Sequence, residues 1–299
     1  MNKILIILLL FSSEIFAMKI KAKQRDDNRI QTTIMFENNM FGEVISKRKG
    51  VKVDYLTNIM AKLNDKIVYN IFLSPYLSKN PMSKFYFYNS KETGKLEIFT
   101  TYNNNVQKKK SFQIKQLIDN KKTINETLDK TKYSIQNNSK INNLNIWEET
   151  SYKKAIKKFY GSGKMIQNVI TVKAHKVSEN WHNMPISIKA DIDLESIMVL
   201  MTNNPHSVIA IFSIPKDRII NYHIRVNAVN GHRVIVDSKN KYNYKFINTD
   251  TDIIVVGKGR DGKLYKTIKN TEFSQCLNAG GGVSDRGSFL REVYLNQDK

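Results

Sequence analysis

Apolar residues recur along the chain with two periods, which predict where helices and strands lie. Three segments carry apolar side chains at the spacing of one helical face, and these are 53–64, 112–128 and 155–170. Short alternating or continuous apolar runs predict strands at 66–73, 85–88, 96–99, 197–201, 208–214, 233–236, 244–247, 253–256, 264–268 and 288–295. A helix-rich first part followed by an antiparallel meander indicates an α+β fold.

Polar segments divide this pattern into parts. Residues 18–33 are rich in charged side chains and predict a mobile arm. An Asn-rich stretch at 135–145 predicts a linker, so we place a domain boundary there, between domains 18–145 and 146–299. Asn230-Gly231 and Asp261-Gly262 predict tight turns between strands of the second domain.

The first seventeen residues differ from the rest in composition. A short basic start precedes the apolar run Ile4–Phe11, and Ala17 follows at the position of a cleavage site. Eight apolar residues are too few to cross a bilayer, which takes about 20. We therefore expect residues 1–17 to be a secretory signal peptide and the mature chain to be secreted, without a membrane-spanning segment.

Composition narrows the classes of function. The 299 residues are 41% apolar, enough for a folded core, and the formal charge of +21 favours contact with an anionic surface. One cysteine excludes a disulfide scaffold and a cysteine-based zinc site, and none of the five histidines forms a metal-binding pair, so no metal is expected. Cys276 itself is interpreted as a small buried side chain rather than a nucleophile.

Two other polar features have ordinary interpretations. Gly280, Gly281 and Gly282 lack the Gly-Lys-Ser/Thr pattern of a phosphate loop and predict a flexible turn. The lysines 108–110 predict a solvated face, with a phosphate-binding patch as the alternative.

Several segments of the second half together resemble the clostridial-type ADP-ribosyltransferase exotoxins, in particular the enzymatic component of binary toxins. The segments that carry the resemblance, in order, are 155–168, 197–201, 213–217, 231–236 and 244–246. The likeness spans about residues 153–268, and Pro81–Leu128 is similar to the non-catalytic amino-terminal half of the same toxins. The resemblance implies a mixed helix and antiparallel β-sandwich made of two related halves.

The resemblance also implies particular roles for five residues. Phe159 stands at a family tyrosine position and Gln167 at a family asparagine position, while Met201 stands where the family has the arginine that holds NAD phosphates. His232 and Val234 stand at the two positions of the family's Glu-x-Glu pair. Val234 cannot stabilise a developing cation, a loss that typically costs about 10²–10³ in rate. The Ser-Thr-Ser element is also missing.

The expected function follows from these departures. The resemblance implies a secreted exotoxin-like protein that has lost catalysis and acts by binding a translocation component, a host protein or an anionic surface. The resemblance implies that Phe159, Gln167 and Met201 would bind NAD. One alternative is an active NAD-dependent ADP-ribosyltransferase with relocated residues. The other is a basic secreted nucleic-acid-binding protein or nuclease.

Overall fold

Strands dominate the computed structural model, which describes residues 18–25, 28–89, 93–118, 145–178, 180–228, 233–236, 242–245 and 250–273. The strands are β1 (Met18–Gln24), β2 (Arg29–Phe36), β3 (Leu56–Leu63), β4 (Lys66–Leu73), β5 (Met82–Tyr88), β6 (Lys95–Tyr102), β7 (Gln107–Gln113), β8 (Met165–Gln167), β9 (Thr171–Lys173), β10 (Val177–Ser178), β11 (Met184–Ala190), β12 (Leu194–Met201), β13 (Val208–Ser213), β14 (Ile220–Val226), β15 (Arg233–Val236), β16 (Tyr242–Lys245), β17 (Asp250–Gly259) and β18 (Leu264–Phe273). The helices are α1 (Glu43–Lys49), α2 (Ile114–Ile118) and α3 (Tyr152–Tyr160), with short 3-10 turns at Ile146–Glu148 and Trp181–Asn183.

Two large sheets pack face to face. The smaller sheet has six strands in the order β1-β2-β5-β14-β11-β9. The larger has ten, in the order β10-β18-β17-β12-β13-β4-β3-β6-β7 with β8 beside β18, and β15 and β16 form a separate pair. The α+β prediction is therefore wrong, because the described residues form an almost entirely β structure whose core lies between two sheets.

Side-chain alternation builds that core. Along β2 and β14 every second residue is buried, as in a strand with one face against a core and one towards solvent. Ile34 and Ile224 of the small sheet and Ile71 and Val199 of the large sheet belong to one buried cluster. This cluster fills the space between the sheets over both halves of the chain.

The two halves of the chain repeat one topology. In the first half, β1, β2 and β5 lie in the small sheet, while β4, β3, β6 and β7 follow one another in the large sheet. In the second half, β9, β11 and β14 lie in the small sheet, while β13, β12, β17 and β18 follow one another in the large sheet. The corresponding strands also occur in the same order along the chain, so each half is the same sandwich motif.

The halves meet edge to edge in both sheets. β13 pairs antiparallel with β4, with Ile211 opposite Phe72, and β14 pairs antiparallel with β5, with His223 opposite Lys84. Equivalent strands thus meet their counterparts, which is the arrangement of a two-fold interface within a single chain. We call this double pairing the seam.

Four aromatic rings fill the core at the seam. Tyr69 of β4 stacks on Phe85 of β5 with ring centroids 4.3 Å apart, and Phe212 of β13 stacks on Tyr222 of β14 at 4.6 Å. Tyr69 also contacts Phe212 and Tyr222 edge-on at 6.1 and 5.5 Å. Each half therefore contributes one ring from each sheet to this aromatic quartet.

The helix α3 covers the other side of the large sheet. Ala155, Ile156 and Phe159 form its buried stripe, and they pack with Met198 and Ile254 in a second apolar cluster. The helix ends at Gly161, whose φ of 85° is a conformation that other residues rarely adopt. The predicted helix over 155–170 therefore stops well before its expected end, and β8 follows it.

The predicted helix at 53–64 is wrong because β3 occupies most of that segment. Ile59 and Ala61 point into the core between the sheets, while Met60 is buried on the opposite face. The pairing of β3 also shifts register at Leu56/Asn58 and at Ala61/Lys62. Bulges of this kind break the two-residue alternation, so the apolar spacing resembles that of a helix.

One further prediction fails at strands with charged outer faces, and another is met only in part. Most of residues 18–33, predicted as a mobile arm, belong to β1 and β2, which pair with each other along their whole length. The predicted helix over 112–128 begins with the end of β7 and the short α2, and its remainder lies outside the described residues. The strand at 66–73 is confirmed with the bounds of β4.

No helix within the described ranges is long and apolar enough to cross a membrane. Four predicted features lie wholly or almost wholly outside those ranges. They are the signal peptide at 1–17, the linker at 135–145, the turn at Asn230-Gly231 and the strand at 288–295.

We predict that Tyr69→Phe lowers the free energy of unfolding by about 1–2 kcal/mol, because the substitution leaves the buried Ser83 hydroxyl without its partner. Urea denaturation of Tyr69→Phe, Ser83→Ala and the double variant measures this cost. The double variant should lose less than the sum of the two single variants. Strict additivity would show that the two hydroxyls do not interact.

We also predict a pH-dependent contribution from Glu97 of β6. Burial raises the pKa of this carboxyl, but Lys95 at 2.7 Å and Lys109 at 2.9 Å outweigh burial and hold the pKa below its usual range. A lowered folded-state pKa stabilises the fold above the unfolded pKa and ceases to do so as the pH falls through the folded value. Glu97→Gln should cost about 1–2 kcal/mol at pH 7, and the cost should shrink as the pH falls below about 4.3.

Urea denaturation across this pH range checks the Glu97 prediction. Glu37→Gln is the matched control, because its exposed pair with Lys19 spans 3.9 Å and should contribute less than about 0.5 kcal/mol. An equal cost of Glu97→Gln at both ends of the pH range would contradict the predicted linkage.

Candidate functional site

Polar side chains from both halves converge at one end of the seam. Loops 74–81 from the first half and 181–183, 202–207 and 227–228 from the second half meet there through the hydrogen bonds described below. β18 also ends at this position, with the Phe273 ring 6.0 Å from that of Trp181.

Asn227 is the common partner of these loops. Its side-chain Oδ1 lies 2.8 Å from Nδ1 of His182, and its carbonyl oxygen accepts a hydrogen bond of 3.0 Å from Nδ2 of Asn204. Its backbone N–H donates to the carbonyl of Tyr76 at 2.8 Å. We call Tyr76, His182, Asn204, His206 and Asn227 the Asn227 cluster.

A second contact within the cluster crosses the seam. The Tyr76 hydroxyl lies 3.4 Å from Nδ1 of His206, and the two rings meet edge-on at 6.0 Å. Burial raises the pKa of Tyr76 to about 12. The phenol is therefore protonated at neutral pH, and its hydroxyl can donate a hydrogen bond to Nδ1 of His206.

The buried polar groups continue towards β18. Thr251 Oγ1 donates to Asn203 Oδ1 at 2.7 Å, and Thr251 lies opposite Thr271 in the pairing of β17 and β18. Nδ2 of Asn203 is buried and has no hydrogen-bond partner within the described part of the chain. The side chains of Asn203, Thr251 and Thr271 thus add neutral hydrogen-bonding groups to this end of the sandwich.

The chemistry available here is that of two imidazoles held in fixed orientations. When His182 donates from Nδ1 to Asn227, its Nε2 is the acceptor atom of a neutral ring. Such a nitrogen can take a proton from a thiol or hydroxyl brought within hydrogen-bond reach. In the described ranges, no group of three or more His, Cys, Asp or Glu side chains could hold a metal ion.

A cleft of about 440 Å³ lies at the other end of the sandwich, between the loops that follow β11 and β13 and the ends of β2 and β5. Its charged side chains carry both signs, and several are already engaged. Lys189 pairs with Asp191 at 3.3 Å, and Nε of Arg218 donates to the carbonyl of Ile67 at 3.1 Å. These contacts already engage part of the charged side chains of the cleft, so the Asn227 cluster is the stronger candidate site.

The residues predicted to bind NAD do not converge. Met201 lies at the end of β12 in the core between the sheets, whereas Phe159 lies in the cluster on the opposite face of the large sheet. Gln167 is exposed on β8 and donates to the carbonyl of Met165 at 3.2 Å. Val234 pairs with Tyr244 in the separate two-stranded sheet, and His232 lies outside the described residues.

Sequence reasoning missed the Asn227 cluster. Asn203-Asn204-Pro205 signals a turn, and that signal was available in the sequence. No local pattern, however, links Tyr76 to His206, because 130 positions separate them.

Comparison with protein families finds two matches, one in each half. The model described as "Sulphur oxidation protein SoxZ" matches residues 18–113, and that described as "Sulfur oxidation protein SoxY" matches residues 156–245. No curated protein matches the chain.

Among solved structures, the sulfur carrier protein SoxY from Chlorobium limicola f thiosulfatophilum is 18% identical, with 41% of this chain and 94% of that chain covered and a TM-score of 0.29. A bacterial ice-binding adhesin of 1.5 MDa is 10% identical, with 89% and 67% covered and a TM-score of 0.24. Likenesses of this size carry no argument about the fold or the function.

The family matches correct the sequence-based identification. Both matched families are sulfur oxidation proteins, and the fold is a β-sandwich, so the resemblance to ADP-ribosyltransferase exotoxins is wrong. The expected exotoxin function is therefore wrong as well. Neither alternative, an ADP-ribosyltransferase with relocated residues or a nucleic-acid-binding protein or nuclease, has support. The roles assigned to Phe159, Gln167, Met201, His232 and Val234 lose their basis.

We predict that Asn227→Ala lowers the free energy of unfolding by about 1–3 kcal/mol, because it removes the side-chain partner of His182 Nδ1. Urea denaturation measures the loss. The nitrogen-15 NMR shifts of the His182 ring should also change, because the tautomer is no longer fixed. Asn221→Ala on β14 is the control and should change stability by less than about 0.5 kcal/mol. Unchanged His182 shifts in Asn227→Ala would show that this contact does not orient the ring.

Proposed function

We propose that this chain is a sulfur carrier in sulfur oxidation, with Cys276 as the residue that holds the sulfur. The observation that carries the proposal is the occurrence of a SoxZ-like and a SoxY-like half in one chain. The family model that matches residues 156–245 is SoxY, and the SoxY of Chlorobium limicola is described as a sulfur carrier protein. Because the halves of this chain share both sheets, the carrier is one unit.

Covalent carriage of sulfur needs a thiol, and Cys276 is the one cysteine in the 299 residues. It follows β18 by three residues, a length of chain that spans at most about 11 Å. β18 ends beside Trp181, which precedes His182 of the Asn227 cluster, and we propose that the thiol acts at that end of the seam. This proposal replaces the interpretation of Cys276 as a buried apolar side chain.

The loading step is a sulfur transfer without net oxidation. The Cys276 thiolate attacks the outer sulfur of a low-molecular-weight persulfide or of thiosulfate. A sulfur–sulfur bond forms at Sγ while the sulfur–sulfur bond of the donor breaks, and the donor leaves as a thiolate or as sulfite with the bonding electron pair. The thiol proton goes to a base, and the imidazoles of His182 and His206 are the candidates in the Asn227 cluster.

We also propose that the carrier works after export. The basic start, short apolar run and Ala17 of the first seventeen residues support this location. Sequencing the amino terminus of the protein from its native host tests the proposal, since cleavage after Ala17 leaves Met18 as the first residue.

We predict that the protein spanning residues 18–299 gains the mass of one sulfur atom when it is incubated with glutathione persulfide, and that dithiothreitol removes this mass. Intact-protein mass spectrometry measures both steps. Cys276→Ser should gain nothing. Failure of the unaltered protein to load from either a persulfide or thiosulfate would contradict the proposal.

Any exposed thiol reacts slowly with a persulfide, so the rate needs a control. The variant that combines Cys276→Ser with Ser288→Cys keeps one cysteine in the same part of the chain but places it 12 positions further along the sequence. It should load at least about tenfold more slowly, because proton transfer by a positioned base is lost. Equal rates would show that the position of Cys276 has no special role.

A further inference from the structure

The six-stranded sheet has one face towards solvent. Side chains alternate along each of its strands, and the outward positions are exposed or half-buried throughout. We call these outward positions the outer face. They form a continuous surface across the seam, because β5 and β14 are neighbours in the middle of the sheet.

The charges on this sheet are all of one sign. The strands β1, β2, β5, β9, β11 and β14 contain eight Lys or Arg residues and no Asp or Glu. At the chain-wide ratio of 48 basic to 27 acidic residues, eight basic residues would be accompanied by four or five acidic ones. The strands of the ten-stranded sheet contain nine basic and five acidic residues. The strands of the six-stranded sheet therefore carry a net charge of +8, against +4 for those of the ten-stranded sheet.

The rims of the outer face are rows of lysine. Lys19, Lys21 and Lys23 alternate along the edge strand β1, and all three are exposed. Lys189 on β11 and Lys173 on the edge strand β9 lie at the other side. Lysines on edge strands also prevent unwanted pairing with other sheets, so the rims alone do not indicate a partner.

The centre of the outer face has a different composition. Tyr86, Lys84 and Met82 alternate along β5, with His223 directly opposite Lys84 on β14 and Arg225 next outward on that strand. Neither Lys84 nor Arg225 has an acidic partner within 4 Å in the described part of the chain. Burial and the neighbouring Lys84 lower the pKa of His223, which favours the neutral imidazole.

This arrangement matches the anatomy of a protein interface. Tyr, Met and Arg, the types of Tyr86, Met82 and Arg225, are enriched at the centres of such interfaces, and the exposed lysines of β1, β9 and β11 lie where an interface has its polar, solvent-accessible rim. Lys84 is the exception, a lysine at the centre. The 39 residues of the six strands cover roughly 600 Å², close to the area of about 800 Å² that each partner contributes to a standard interface. Surfaces that dock on bilayers insert large apolar side chains, and Tyr88 is the one exposed large hydrophobic residue of the described outer face.

We propose that the outer face of the six-stranded sheet is the docking surface for an acidic protein partner, with Tyr86, Lys84 and Arg225 at its centre and the lysine rims attracting the partner by charge. A carrier must meet and leave its partners quickly, and complementary charge raises the rate of encounter without demanding tight binding. The need for rapid exchange rests on the proposed carrier function, whereas the experiment below measures docking without loading Cys276.

Two triple variants with the same change in net charge test the proposal. Lys21→Gln/Lys84→Gln/Arg225→Gln alters the outer face, and Lys66→Gln/Lys157→Gln/Lys269→Gln alters exposed positions elsewhere. The probe is fluorescent poly-L-glutamate, a polypeptide that carries carboxylates, at low salt. The Kd for poly-L-glutamate should rise about tenfold in the first triple variant, because each exposed ion pair changes affinity by a few-fold. In the second triple variant the Kd should rise by less than about twofold.

Two further probes decide between classes of partner. Phosphatidylglycerol vesicles and a short DNA duplex should show no difference between the two triple variants. Equal losses of poly-L-glutamate binding in both triple variants would mean that net charge alone is responsible, which overturns the proposal. Binding that depends on the outer face for vesicles or duplex, but not for poly-L-glutamate, would overturn it in favour of a lipid or nucleic-acid partner.

Discussion

The packing of four aromatic rings at the seam is the interaction on which the rest of this structure depends. Tyr69, Phe85, Phe212 and Tyr222 come from four strands, two sheets and both halves of the chain. Stacked and edge-on ring pairs contribute about 0.5–1.5 kcal/mol each beyond the burial of their area. Because no half contains more than two of these rings, the quartet can form only when the halves join in both sheets at once.

Joining the halves in this way determines where functional groups can lie. In each half alone, β4, β5, β13 and β14 would be sheet edges with unpaired backbone groups. Pairing them removes these edges and brings Tyr76 against His206 and Asn227 at one end of the seam. It also merges two small sheet faces into one wide basic surface. The proposed sulfur attachment and the proposed docking surface are both consequences of the same pairing.

Strands with a regular apolar pattern can be predicted from the sequence. Ile67, Tyr69, Ile71 and Leu73 alternate along β4 and Pro75 follows it, which gives this strand its correct bounds. The prediction of a mobile arm over residues 18–33 is wrong because lysines occupy the solvent-facing positions of β1. Only Met18 and Ala22 are buried on this strand, too few apolar residues to indicate a strand by their alternation. Bulges in β3 similarly mimicked a helix. The site could not be predicted, because its side-chain contacts join residues between 23 and 130 positions apart, and local periodicity carries no information about such pairs.

Hydrogen exchange at the four seam strands, read by mass spectrometry, tests the shared sandwich most directly. If the halves share both sheets, amides of β4, β5, β13 and β14 should exchange as slowly as those of interior strands such as β3 and β12, through global unfolding. The edge strands β1 and β7 should exchange faster. Exchange of the seam strands at the rate of these edges would show that the two halves do not share their sheets in solution, and would contradict the shared sandwich.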